Sequence, residues 1–79
     1  MNFKTVRTGM QCDTWFERDR KHVSLTDAAT DRVIFELWDE AVDEAIEDGF
    51  LTVPKYPRPT NAAWLPHLVE YAKSQGLIT

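Results

Sequence analysis

The chain has 79 residues, 43% of them hydrophobic and 28% charged, with a net charge of −4 and an isoelectric point near 5.0. That length makes one domain, spanning residues 1–79, and a lone cysteine, Cys12, excludes an intrachain disulfide framework of the kind small secreted domains use. The opening residues lack the apolar core of a signal peptide, and no apolar run approaches the ~20 residues that span a bilayer, so the expected compartment is a reducing cytoplasm.

In chain order, residues 3–8 alternate weakly and read as an edge strand or a frayed end. Residues 14–19 are rich in β-formers and meet a second strand at 21–25 across a polar turn at 18–21. There His22, Ser24 and Thr26 alternate with Val23 and Leu25, a period of two. A small polar loop at 26–31 leads to a further strand at 32–37. Together these form an antiparallel meander of three to four strands over the first two-fifths of the chain.

The following segment has helical spacing. Trp38, Ala41, Val42, Ala45 and Ile46 fall on one stripe, which predicts a helix over about 37–48. Gly49 suits the left-handed residue after its end, and Phe50 is placed to fold back toward Ala45. Three prolines within 51–59 exclude a helix or central strand there and predict a stiff extended connector. The next helix has Thr60 or Asn61 as its cap and an apolar stripe of Trp64, Leu65, Leu68 and Ala72, ended by Gly76. Pro66 either kinks this helix or marks its true start after a short turn. Leu77 and Ile78 can return to the core. The expected fold class is α+β, the meander followed by two helices packed on one face, with Trp15, Phe16, Val33, Phe35, Trp38, Val42, Ile46, Trp64 and Leu68 as core. Three tryptophans exceed what such a core needs, which points to one of them at an interface.

Charge is unevenly placed. Residues 36–53 carry seven acidic and no basic residues: Glu36, Asp39, Glu40, Asp43, Glu44, Glu47 and Asp48. The six on the predicted helix have no Lys or Arg three or four positions away, and like pairs at i,i+4 destabilise by ~0.2–0.5 kcal/mol each. Glu47 and Asp48 also oppose the helix dipole at its C-terminal end, by ~0.3–1 kcal/mol each. The face is either a solvated surface or a surface recognised by a basic partner, and these seven residues are the candidate partner-binding set. Duplex nucleic acid and anionic membranes are disfavoured as direct partners.

The remaining candidates are weaker. Calcium needs ligands alternating around a glycine turn, whereas a regular helix points its acids apart, so no metal site and no cofactor are expected. Cys12, His22 and His67 lack any nucleophile signature, and no phosphate loop, zinc-protease or hydrolase motif is present, so no catalytic residue is assigned and no enzymatic activity is expected. The basic groups at Arg18, Arg20 and Lys21, and at Lys55, Tyr56 and Arg58, read as solvated turns more readily than as a nucleic-acid reader, because the domain is acidic.

In its small size, α+β composition and concentrated acidic face at residues 36–48, the chain resembles the anti-CRISPR proteins among phage and mobile-element accessory proteins. That resemblance rests on overall character and implies a mode of action only: a non-enzymatic inhibitor, monomer or weak dimer, that occupies the basic nucleic-acid-binding surface of a host CRISPR effector complex and blocks DNA binding. The alternative is a phage structural, assembly or regulatory module that binds a basic partner protein.

Overall fold

Strand parity decides how the sheet is laid out. In the computed structural model, which describes residues 5–7, 9–55 and 60–78, Val23 and Leu25 are fully buried and so fix which side of their strand faces the core. Four strands, β1 (Thr5–Arg7), β2 (Met10–Phe16), β3 (Lys21–Asp27) and β4 (Arg32–Trp38), form one antiparallel sheet in the order β1-β2-β3-β4. Helices α1 (Glu40–Glu47) and α2 (Asn61–Ser74) follow. This is the expected α+β meander with two helices. Among the described residues no helix is long and apolar enough to cross a membrane.

The register carries the parity across the strands. Cys12 pairs with Leu25 and Leu25 with Phe35, while Thr14 pairs with Val23 and Val23 with Leu37. This set, with Met10 and Phe16, lies under the helices. Val42 and Ala45 of α1 and Trp64, Leu65, Leu68 and Ala72 of α2 complete the core, together with Leu51 from the connector. Aromatic pairs tie the layers: Phe16 meets Trp64 with ring centroids 5.2 Å apart, and Phe35 meets Tyr71 at 5.0 Å. Such tilted pairs contribute about 0.5–1.5 kcal/mol beyond the area they bury. A register shift between Leu25 and Thr26 leaves Ile34 as the extra residue of a bulge, with Thr26 opposite Val33.

Several boundaries differ from the sequence expectation, for local reasons. β2 begins at Met10 and ends at Phe16, because the Glu17 N–H donates to the Arg20 carbonyl at 2.9 Å and closes the turn there. β3 continues through Thr26 and Asp27, which the sequence places in a loop. Helix α1 begins at Glu40, and Trp38 stays in β4, opposite His22. Asp39 separates the two. Its N–H donates to the Lys21 carbonyl at 2.8 Å and its Oδ1 accepts from the Lys21 N–H at 2.8 Å. Both bonds extend the β3–β4 ladder and hold Asp39 at φ 41°, a conformation that costs a non-glycine residue about 1–3 kcal/mol.

At the far end of α1, Gly49 takes φ 81° as expected. The chain folds back one residue later than the sequence suggests. The Leu51 N–H, not that of Phe50, donates to the Ala45 carbonyl at 3.1 Å, and Leu51 is buried while Phe50 is half exposed. Helix α2 is capped by Thr60, whose Oγ1 accepts from the Ala63 N–H at 3.2 Å. It runs as one helix through Pro66. Pro66 is exposed, while Trp64, Leu65 and Leu68 around it are buried, so core packing offsets the lost backbone bond. The Leu77 N–H donates to the Ala72 carbonyl at 2.9 Å. Ile78 packs against the core, whereas Leu77 remains exposed. The expected ends of the first strand at 3–4 and 8, and the expected connector and basic group at 56–59, lie outside the described residues.

Candidate functional site

The outer surface of α1 is built by the same spacing that buries its inner one. With Val42 and Ala45 facing the core, Glu40, Glu44, Glu47 and Asp48 lie along the opposite stripe, all exposed. Among the described residues none of these four takes part in a salt bridge. The last turn of α1 carries no basic residue, so Glu47 and Asp48 face the negative end of the helix dipole without relief.

The other three members of the predicted set are placed differently. Asp43 is half exposed, and its Oδ1 lies 3.0 Å from Nζ of Lys21. The cation that the helix lacks at i±3 or i±4 is supplied from β3. Lys21 also lies over the Phe16 ring at 5.6 Å, so this ion pair spans sheet and helix. Asp39 is spent on the strand ladder, as described above. Glu36 lies on β4 opposite Ser24, on the sheet face turned away from the helices. Its Oε2 sits 2.9 Å from Nε2 of His22. Hydrogen bonding from His22 holds the Glu36 carboxyl below its ordinary range; Trp38 adds to the effect and burial opposes it. The seven acids therefore divide into four on the outer face of α1, two in its attachment to β3, and one on the far side of the sheet.

That far side is a second surface, which the sequence reading did not assign. Parity places Trp15, His22 and Trp38 in one row across β2, β3 and β4, paired Trp15 to His22 and His22 to Trp38. His22 and Trp38 stack with centroids 4.0 Å apart. Trp15 and Trp38 are 45% and 50% exposed, and Val33 is 56% exposed. All three were expected in the core, and the reason they are not is geometric. Val23 and Leu25 claim the inner face, so Trp15 and Trp38, paired with His22, must face outward, and the bulge at Ile34 turns Val33 outward to pair with Thr26. Trp64 is the tryptophan that is buried. The usable signal was the alternation in 21–26, extended across the neighbouring strands.

Cys12, His22 and His67 do not converge. The Cys12 thiol is buried and donates to the Asn61 carbonyl at 3.2 Å. Burial, with Asp13 adding to it, pushes its pKa up to about 11, which disfavours a thiolate nucleophile. His22 is held against Glu36, and Nδ1 of His67 lies 2.6 Å from Oγ1 of Thr52. Among the described residues no group of three or more metal-ligating side chains comes together. Comparison with protein-family models, with curated proteins and with solved structures finds no match to this chain.

Proposed function

We propose that this protein is a non-enzymatic binding protein whose outer α1 face occupies a basic, phosphate-binding surface of a protein complex in the bacterial host, in the manner of an anti-CRISPR inhibitor that blocks DNA binding by an effector complex. The observation that carries the reading is the stripe Glu40, Glu44, Glu47 and Asp48, exposed on a folded helix and, among the described residues, in no salt bridge. The pattern costs the helix stability through like-charge contacts and through the dipole. A partner rich in Lys and Arg would relieve both, because donors arranged for phosphate oxygens also satisfy carboxylates. Complementary charge would speed association and make it sensitive to salt.

The test is capture of partners from a host lysate at low and high salt, followed by DNA-binding assays on the captured complex. The reading expects a nucleic-acid-binding complex that elutes as salt rises and that loses DNA in the presence of this protein. Capture of a complex that binds DNA equally well with and without the protein would contradict it.

A further inference from the structure

The uncovered face of the sheet combines two features that together suit one kind of ligand. The first is the aromatic row Trp15–His22–Trp38. The second is the row beside it, in which Ser24 on β3 is flanked by Asp13 on β2 and Glu36 on β4. With strands about 4.8 Å apart, the backbones of Asp13 and Glu36 stand about 10 Å from each other across Ser24. Over the second row, reaching His22 on one side and Gln11 and Val33 on the other, lies an open depression of about 150 Å³, bordered also by Asp13, Ser24 and Glu36. That is roughly the liquid volume of five waters, room for a side-chain head group.

We infer that this face is a docking site for an arginine-bearing segment of a partner protein, with a guanidinium seated over Ser24 between Asp13 and Glu36 and against His22, the middle member of the aromatic row. Charge complementarity selects the occupant. A guanidinium offers planar donors to carboxylates on both sides and a flat face to an indole, and a carboxylate such as Glu36 keeps acceptor sites after meeting His22. The molecule already shows the stacking half of this contact, because its own Arg20 lies over Trp15 at 5.4 Å from the ring centroid. A single-stranded nucleic acid would also stack on tryptophans, but its phosphates would meet Asp13 and Glu36. The inference goes beyond the α1 reading, since it concerns the opposite side of the sheet and stands or falls separately.

The experiment is a backbone and indole N–H shift titration of the full chain with a glycine-spaced arginine peptide, its lysine and citrulline counterparts, and single-stranded oligothymidylate. The expected result is movement of Asp13, Ser24, Glu36 and the Trp15 and Trp38 indoles on adding the arginine peptide. Affinity should fall about fivefold with lysine and further with citrulline. Glu36→Gln and Trp38→Ala should each weaken binding about fivefold, with Trp38→Phe as the shape-preserving variant should Trp38→Ala unfold. An α1 variant with lysine at Glu44, Glu47 and Asp48 should keep this binding within about twofold, since those charges are beyond a Debye length of solvent screening. Four results would each overturn the inference: shifts confined to α1, equal response to arginine and lysine peptides, preferential response to oligothymidylate, or concentration-dependent shifts on this face without peptide, which would make the occupant a second copy of the chain.

Discussion

Replacing Asn61 by Ala tests how the sheet and α2 are held together. Asn61 is 9% exposed at the first turn of α2. Its Oδ1 accepts from the Thr14 N–H at 3.1 Å and from the Thr14 Oγ1–H at 2.6 Å. Among the described residues β1 pairs with β2 as far as Cys12, and further along β2 the Thr14 N–H is bonded to Asn61. The Ala variant loses two hydrogen bonds of about 0.5–1.5 kcal/mol each and leaves a part-buried backbone donor that costs about 1–3 kcal/mol when unpaired. These effects overlap, and a net loss of about 2–4 kcal/mol follows. A domain of this size has about 4–12 kcal/mol in total, so the midpoint of urea unfolding should fall by about a sixth or more with the slope unchanged. Thr14→Ala should cost less, and the double variant less than the sum, because the two residues share the same bonds. A loss below about 0.5 kcal/mol for Asn61→Ala, or full additivity with Thr14→Ala, would refute the account of this junction.

Three further outcomes are expected. Pro66→Ala should restore the backbone donor of an exposed helix position and raise stability by about 1–3 kcal/mol, read from chemical denaturation; a loss would show that the ring makes a packing contact that matters. Cys12 should react with a thiol reagent far more slowly than a free thiol at pH 8 and reach the free rate in denaturant. Because its folded pKa is raised to about 11, the thiol form is favoured in the fold, so its contribution to stability is present below the unfolded value of about 8.5 and is lost as pH rises through the folded one. The Glu36 carboxyl should titrate, by side-chain NMR, below the ordinary carboxylate range and move up toward it in His22→Ala, since the His22 hydrogen bond is the leading cause of the shift. With a lowered folded pKa, any stability from this contact is present above about 4.3 and is lost as pH falls through the folded value.

Much of the architecture was legible because two periodicities agree with it. Val23 and Leu25 against His22 and Ser24 announce a half-buried strand, and Val42 and Ala45 announce the inner stripe of α1. What the sequence hid is where one period gives way to the other. Trp38 falls at a helical distance from Val42, yet the backbone remains extended there because Asp39 bonds both ways to Lys21, a contact 18 residues away. The error carried over to the site. Trp38 was placed on the helix and Glu36 in one binding set with the helix acids, although strand pairing assigns both to the far side of the sheet. Asp43 looked unrelieved within the helix, and its partner Lys21 comes from β3. Local sequence spacing shows neither long-range pair. The outer stripe of α1 was legible because it depends only on spacing within a single helix.

The central claim, that this stripe is a binding surface, is tested most directly by converting Glu44, Glu47 and Asp48 to lysine and measuring association with the captured host complex. Asp43 is left intact because it anchors α1 to Lys21. Lysine in the last turn complements the helix dipole, by about 0.3–1 kcal/mol per site, so the variant should fold at least as stably as the parent while its association with the complex is lost. Normal binding by the folded variant would contradict the account.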